Sequence, residues 1–292
     1  MKKVRKAVIP CAGFGTRFLP ITKAVPKEML PIVDVPALQL IVQECVDSGI
    51  EDILIIIGKN KKCIEDHFDR APELEELLRK GHKDIALKVV DDITNMANFF
   101  YVRQKEMNGS GKAVLLAESF VGDEPFAVVY GDDIVDNDGK RPAIGQLIDA
   151  YYNAGVSILG AQTVSRNDAT KYGVVIPGQV KGRYTEMKGI IEKPSIEELP
   201  STLASLGRYV LTPDIFEALK NTKPSKNGEV YLTDAINILA KTVGVYAYDF
   251  EGKRYDTGDK FGYVMANIEY GLKHNEIKEE LKNYIKELAK KL

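Results

Sequence analysis

The sequence is poor in the residues that build disulfide frameworks and metal cages. Among 292 residues there are 3 cysteines and 3 histidines, and no C-x-x-C pair occurs. An odd number of widely spaced cysteines speaks against a disulfide scaffold or a zinc cage and favours a reducing compartment. We expect Cys11 to pack beside the loop that follows it. The histidines show no ligand spacing, and no catalytic role is expected for them.

Long apolar runs and an excess of charge are missing as well. No stretch approaches the ~20 apolar residues that span a bilayer, and the basic N-terminus MKKVRKAVIP has too few apolar residues after it for a signal peptide. The 40 lysines and arginines against 42 aspartates and glutamates leave a net charge of −2. Nucleic acid and membrane surfaces are therefore not expected partners. The expectation is a cytoplasmic protein that binds anions at a local site.

What is present is the composition of a soluble globular protein, with 45% apolar and 28% charged residues. Apolar residues at helical spacing over 36–48 precede a continuous apolar run at 52–58, which predicts a helix and then a buried strand. Alternating strands and helices in the first half predict an α/β fold with a doubly wound, mostly parallel sheet. From Tyr172 onward, strands joined by turns predict an antiparallel portion. A long helix from about Lys260 is expected to end the chain.

The most informative stretch is AVIPCAGFGTRFLPITKAVPKEMLPI, residues 7–32. Its first residues predict the end of a buried strand. Gly13 and Gly15 then let backbone N–H groups approach an anion closely, because no side chain is in the way. Arg17 and Lys27 supply positive charge, the first as a planar fork and the second as a point donor. Together with three prolines that oppose an ordinary helix, the stretch predicts a phosphate-binding loop.

Two better-known phosphate motifs do not fit. The dinucleotide fingerprint needs a third glycine where Phe18 stands, so an NAD-type oxidoreductase is disfavoured. A Walker A loop around residues 109–113 needs glycine at 106 and serine or threonine at 113, where the chain has Glu106 and Ala113. That motif is rejected.

Carboxylates follow the apolar run that ends near Tyr130. The run leads into Asp132 and Asp133, at the sheet edge where open α/β folds bind ligands. Because Mg²⁺ takes few protein carboxylates together with phosphate and water oxygens, one of these two aspartates and a second carboxylate from residues 255–259 would suffice for a site. An aspartate pair after a strand also occurs in turns and helix caps, and that alternative stays open.

The string G-x-G-T-R-x-L-P-x-x-K-x-x-P-K-E-M-L-P-I resembles the sugar-phosphate nucleotidyltransferases and, within them, the bacterial UTP-glucose-1-phosphate uridylyltransferases. The resemblance implies transfer of UMP from UTP to glucose 1-phosphate, which gives UDP-glucose and pyrophosphate, with Mg²⁺ as cofactor. It also implies a homo-oligomer, a dimer or a tetramer. A catalytic domain over 1–258 is expected, with a nucleotide half of about 1–140, a sugar half of about 141–258, and a C-terminal helical segment at 259–292.

The resemblance also implies roles for individual positions. The expected catalytic residues are Arg17, Lys27 and Lys193. The expected nucleotide-binding residues are Ala12, Gly13, Gly15, Thr16, Gln104, Gly109 and Gly111. The expected sugar-binding residues are Gly173, Glu192, Lys193 and Gly207. The expected metal ligands are Asp132 and Asp256. The carboxamide of Gln104 matches the N3–H and O4 edge of uracil, but thymine presents the same edge.

The chain departs from the family pattern at several positions. Relatives usually have leucine, histidine, leucine, asparagine and glutamine where this chain has Ser110, Lys112, Tyr130, Thr202 and Tyr231. These departures leave the exact sugar open. Three alternatives remain: a related enzyme for TTP or another hexose 1-phosphate, a non-catalytic paralogue that binds UDP-glucose, and, least favoured, the oxidoreductase. An apolar stripe near the C-terminus either packs on its own domain or contacts a second subunit. Its residues are Ile277, Leu281, Tyr284, Ile285 and Leu288.

Overall fold

The computed structural model describes residues 1–225 and 227–292. The strands are β1 Lys6–Cys11, β2 Pro31–Ile32, β3 Val35–Pro36, β4 Asp52–Ile57, β5 Asn98–Arg103, β6 Phe126–Val129, β7 Asp133–Asp136, β8 Ser157–Thr163, β9 Gly173–Lys181, β10 Tyr184–Glu192, β11 Leu203–Leu211, β12 Val245–Asp249 and β13 Lys253–Asp256. The helices are α1 Ala37–Asp47, α2 Lys62–Phe68, α3 Pro72–Lys80, α4 Asp84–Thr94, α5 Ser110–Leu115, α6 Glu118–Val121, α7 Ala143–Ala154, α8 Arg166–Ala169, α9 Asp214–Asn221, α10 Leu232–Thr242, α11 Lys260–Gly271 and α12 Lys278–Ala289.

A single large sheet runs through the molecule. In the described part of the chain it has 9 strands in the order β5-β4-β1-β6-β11-β8-β12-β10-β9. The first four are parallel to one another. Antiparallel pairing begins where β11 joins β6 and continues to the far edge, except between the parallel strands β8 and β12. The predicted α/β sheet with a parallel first half and an antiparallel portion is confirmed.

Helices cover both faces of the sheet because its central strands are apolar on both sides. Along β1, Ala7 and Ile9 pack into a core shared with α1, α2 and α7, whereas Val8 packs into a second core shared with α5, α9 and α10. This alternation follows from the period of two in a strand. The helix predicted over 36–48 and the strand predicted over 52–58 are confirmed as α1 and β4.

The prediction of one long terminal helix from about Lys260 is wrong. The segment divides into α11 and α12, which are separated by a turn at 272–277. A side chain on Gly271 would place its Cβ 2.6 Å from Cδ2 of Leu281, so the glycine permits close contact between the two helices. Ile277 and Leu281 of the apolar stripe pack on their own chain, and Tyr284 and Leu288 are exposed.

Other elements had weak sequence signals. Residues 110–121 form two short helices, α5 and α6. No element was predicted for α4, which has no fully buried residue, or for the short strands β7 and β13, which pair with each other beside the sheet. These four-residue strands are rich in charged residues and lack the apolar alternation on which strand prediction depends.

A buried ion pair joins the sheet to the helix layer. Arg208 of β11 is fully buried, and its guanidinium donates to both oxygens of Glu44 of α1 at 3.1 and 2.7 Å. The same guanidinium donates to the backbone oxygen of Asp133 at 2.5 Å. Because the planar fork of arginine fixes its partners in direction as well as distance, this contact fixes the start of β7. No helix in residues 1–225 and 227–292 is long and apolar enough to cross a membrane.

Candidate active site

A cavity of about 400 Å³ opens beyond the carboxyl ends of β1 and β6. It continues past the start of β9, the end of β10 and the middle of β11, so both parts of the sheet contribute to its walls. The predicted site residues that line it are Ala12, Gly13, Arg17, Lys27, Gln104, Gly109, Asp132, Gly173, Glu192, Lys193, Gly207 and Asp256. The fold thus brings together residues from distant parts of the sequence around one cavity.

Three of the predicted nucleotide-binding residues lie outside this lining. Thr16 is exposed in the predicted phosphate-binding loop. Gly15 packs against Lys27, whose Cβ would lie 3.2 Å from a Cβ built on the glycine. Gly111 lies inside α5 against Val230, and its N–H donates to the Val230 carbonyl at 2.8 Å. The positive φ of Gly15, 66°, and the close packing of Gly111 give both glycines structural reasons to be glycine.

The phosphate-binding loop brings its charges to the end of β6. Residues 16–29 form three short 3₁₀ turns and no α-helix, as the prolines predicted. Lys27 Nζ contacts the carboxylate of Asp132, and Arg17 donates to the Gly258 carbonyl at 3.3 Å. Burial lowers the pKa of Lys27, but the charges of Asp132 and Glu28 outweigh it and hold the pKa above its ordinary value. Lys27 is therefore a permanent cation beside the cavity.

A buried ion pair lies behind the loop, between Lys61 and Glu28, which follows Lys27 in the sequence. Glu28, 1% exposed, accepts from Nζ of Lys61 at 3.0 and 2.8 Å. The thiol of Cys11 is buried next to this pair, and a Cβ on Gly131 would lie 2.7 Å from its sulfur. Cys11 thus packs beside the loop, as predicted. The close contact holds the segment that carries Asp132 against the end of β1.

Asp132 and Asp256 face each other across Gly258. A Cβ on Gly258 would lie 2.7 Å from Oδ2 of Asp132 and 3.1 Å from Oδ1 of Asp256, so only glycine leaves room for both carboxylates. The N–H of Gly258 donates to Asp256 Oδ1 at 3.0 Å. In the described residues no cluster of three or more histidine, cysteine, aspartate or glutamate side chains could hold a metal. Two carboxylates that line one cavity nevertheless fit Mg²⁺, which accepts few protein carboxylates and takes phosphate and water oxygens as its other ligands.

Arg254 is a cavity residue that the sequence analysis missed. Its guanidinium pairs with Asp133 and with Oδ2 of Asp256 at 3.4 Å, and it donates to the phenol of Tyr172 at 2.8 Å. Its carbon Cζ lies 4.5 Å from the Tyr172 ring centroid, a cation–π contact. Arg254 therefore fixes Asp256 and separates it from Asp133. The sequence contains a signal for Arg254, since Arg254 and Asp256 are two residues apart and such residues share one face of a strand.

Glu192 and Lys193 mark the opposite end of the cavity. Glu192 accepts from the Thr233 hydroxyl at 3.0 Å and pairs with Gly173 across β9 and β10. Lys193 is half exposed, with its Nζ 3.8 Å from Glu192 Oε1. Its φ of 46° is unusual for a residue with a side chain, and its N–H donates to the Tyr172 carbonyl at 3.0 Å. Such backbone strain occurs where a side chain must be aimed at a site.

Gln104, which is predicted to bind the base, lines the cavity. It is 6% exposed, and its amide nitrogen donates to Asn108 Oδ1 at 3.3 Å and to the Gly109 carbonyl at 3.4 Å. Gly109 has a φ of 106°, and a Cβ there would lie 2.4 Å from the Val230 carbonyl oxygen. Only glycine fits at position 109, and the turn it makes closes this end of the cavity.

The departures from the family pattern fall into two groups. Ser110, Tyr130 and Tyr231 line the cavity, and the Tyr231 ring lies 5.9 Å from Nζ of Lys193. Lys112 and Thr202 are not part of the lining. The first group can therefore affect which molecule binds, whereas the second has no direct contact with the cavity.

Known proteins resemble the whole chain. The profile of a family described as Nucleotidyl transferase matches residues 6–271. UTP–glucose-1-phosphate uridylyltransferase 2 of Staphylococcus saprophyticus is 52% identical over 288 residues, which are 99% of both chains. A crystal structure of a UDP-glucose pyrophosphorylase complexed with UDP-glucose is 43% identical with a TM-score of 0.85, over 93% of this chain and 100% of the other. UTP-bound UGPase from Acinetobacter baumannii is 38% identical with a TM-score of 0.88, over 98% and 99%.

Proposed function

Because the chain belongs to the nucleotidyl transferase family, we propose that it transfers UMP from UTP to glucose 1-phosphate and releases pyrophosphate. The observation that carries the proposal is the single cavity that joins the Lys27 and Asp132 pair to Glu192 and Lys193. One end has the charges for a triphosphate, and the other has an acid and a cation for a sugar phosphate. The Staphylococcus relative is named for UTP and glucose 1-phosphate, and the related pyrophosphorylase was crystallised with UDP-glucose, the product expected here.

The reaction is a displacement at the α-phosphorus of UTP. An oxygen of the glucose 1-phosphate phosphate forms a new P–O bond, and the bond from the α-phosphorus to the bridging oxygen of pyrophosphate breaks. The attacking oxygen is already an anion, so no residue has to remove a proton. Catalysis then depends on holding the two phosphates in line and on stabilising charge that moves to the leaving group.

The charged residues divide this work by position. Arg17 and Lys27 hold the triphosphate and the departing pyrophosphate, while Lys193 orients the attacking phosphate. Glu192 accepts hydrogen bonds from sugar hydroxyls next to Gly173 and Gly207, and Gln104 pairs with the uracil edge beside Ala12, Gly13 and Gly109. A Mg²⁺ ion held by Asp132 and Asp256 would offset the negative charge of the phosphates. Arg254 keeps the Asp256 carboxylate aimed at that position.

The proposal also covers the location, the oligomeric state and the domain division of the protein. Cys11, Cys45 and Cys63 are free thiols, which supports a cytoplasmic location. Exposed Tyr284 and Leu288 of α12 support a homo-oligomer, a dimer or a tetramer. We divide the catalytic domain at about residue 140 into a nucleotide half and a sugar half, with the helical segment 259–292 attached.

The direct test is pyrophosphate release by the purified protein with Mg²⁺. UTP and TTP are each paired with glucose, galactose and N-acetylglucosamine 1-phosphates. We expect the highest kcat/KM with UTP and glucose 1-phosphate. Equal or faster release with TTP or with another hexose would identify a related enzyme of the same fold. No release from any pair, with UDP-glucose still bound, would identify a non-catalytic paralogue.

Replacing Lys193 with glycine separates function from folding. Lys193→Gly removes the ammonium and also relieves the positive φ, so the free energy of unfolding should stay equal or rise while kcat falls at least about a hundredfold. Urea unfolding and steady-state kinetics measure the two effects. Lys188→Ala is the control, because Lys188 is an exposed lysine on β10, the strand that ends immediately before Lys193. Near-normal kcat in Lys193→Gly would show that Lys193 does not orient the phosphate.

Replacing Gly258 with alanine tests the metal position. The new Cβ meets both carboxylate oxygens, so the Mg²⁺ concentration for half-maximal rate should rise about tenfold or more. Mn²⁺ binding to the protein with UTP, followed by electron paramagnetic resonance, should weaken in parallel. Gly182→Asn, at an exposed turn with a φ of 59° that asparagine accepts, is the control. An unchanged metal response in Gly258→Ala would place the ion elsewhere.

A further inference from the structure

Several hydroxyl side chains form one wall of the cavity, and the mechanism above uses none of them. They are Ser110, Tyr130, Ser205 and Tyr209, called here the hydroxyl row. Two of its members, Ser110 and Tyr130, are positions where the chain departs from the family pattern of leucine. Polar groups thus replace apolar ones at two places that face the same ligand space.

The members of the hydroxyl row are close neighbours. The Tyr209 phenol lies 2.9 Å from Oγ of Ser205, and the ring centroids of Tyr130 and Tyr209 are 5.8 Å apart. The Tyr130 phenol lies within hydrogen-bonding reach of both Ser110 and Tyr209. At the end of the row, Ser110 Oγ accepts from the Leu232 N–H at 3.2 Å. Three of these side chains come from β11 or the loop after β6, so the row is fixed by the sheet.

A row of hydroxyl groups has one hydrogen-bond donor that is not used within the row. Each hydroxyl carries one proton and can accept two hydrogen bonds, and a row has one more proton than it has links between neighbours. One O–H is therefore free for a partner outside the row. The Leu232 N–H cannot use it, because that group is itself a donor. Because a donor that faces a closed cavity without a partner is unfavourable, a ligand acceptor in the cavity would bind to it favourably.

The position of Tyr130 indicates which part of a ligand it faces. Its N–H donates to the Gly207 carbonyl at 2.9 Å, and it stands two residues before Asp132. A Cβ on Gly207 would lie 3.2 Å from Cβ of Tyr130, and Gly207 is one of the residues assigned to the sugar. Tyr130 therefore lies beside the part of the cavity assigned to the hexose.

We propose that the hydroxyl row, through Tyr130, hydrogen-bonds one hydroxyl of the hexose and is a specificity-determining element for the sugar 1-phosphate. The inference rests on the proposed function, since it assigns the hexose to this end of the cavity. A sugar that lacks the matching hydroxyl leaves buried polar groups unpaired and is rejected, whereas an apolar wall could not discriminate in this way. Ser110 and Tyr209 act as positioning residues that hold the phenol.

Kinetics with deoxy sugars tests the contact. Tyr130→Phe keeps the ring and removes the hydroxyl, so kcat/KM for glucose 1-phosphate should fall about tenfold. The 2-, 3-, 4- and 6-deoxyglucose 1-phosphates are compared in both proteins. For one of them the two proteins should have the same kcat/KM, because the missing hydroxyl is the partner of Tyr130. An equal fall with all five substrates would overturn the proposal and leave a structural role for the phenol.

Binding measurements separate this inference from the proposed function. By calorimetry, Tyr130→Phe should weaken UDP-glucose binding about tenfold and leave UDP binding unchanged. Tyr246→Phe is the control, since Tyr246 lies on β12 outside the cavity lining. Equal weakening of UDP would place the phenol at the nucleotide and overturn the proposal, as would no effect on UDP-glucose. Differential binding without pyrophosphate release by the wild-type protein would contradict the proposed reaction alone.

Discussion

The contact between Lys27 and Asp132 is the interaction on which the site depends. It exists because β1 and β6 are parallel neighbours, and parallel strands end at the same edge of a sheet. The phosphate-binding loop leaves β1 there, and Asp132 follows β6 at the same edge. Gly131, which allows the close approach of Cys11 and Glu28, lets the two segments meet. Any change in the register of these strands would separate the charges.

Burying so many charges is costly unless each has a partner. In the structure Lys61 pairs with Glu28, Arg208 pairs with Glu44, and Arg254 pairs with both Asp133 and Asp256. These pairs leave Lys27 and Asp132 neutralised by each other. When substrate binds, phosphate oxygens would replace Asp132 as the partner of Lys27. A divalent cation would replace Lys27 as the partner of Asp132. Each group keeps a partner of opposite charge throughout, so the exchange avoids an unpaired buried ion.

Much of the fold and many of the residues around the cavity could be predicted from the sequence. The features that could not be predicted have physical reasons. The resemblance to the family assigned Gly13, Arg17, Lys27 and Asp132 to one site, and the structure brings all four to one cavity. Arg254 was not assigned, because its strand is short and polar, and unless that strand is recognised the face that Arg254 shares with Asp256 is not apparent. The division of the terminal helix depends on contact between Gly271 and Leu281, which no local pattern reveals. Gly15 and Gly111 were assigned to the nucleotide, while the structure shows close packing at both positions.

The stereochemical course at the α-phosphorus tests the central claim most directly, namely that two substrates are aligned for one in-line displacement without a protein nucleophile. The protein is given a single diastereomer of UTP with sulfur on the α-phosphorus and glucose 1-phosphate, and the configuration of the thio-substituted UDP-glucose is determined by ³¹P NMR. A single displacement predicts inversion. Retention would require a covalent uridylyl-enzyme intermediate and would contradict the alignment of both phosphates in one cavity.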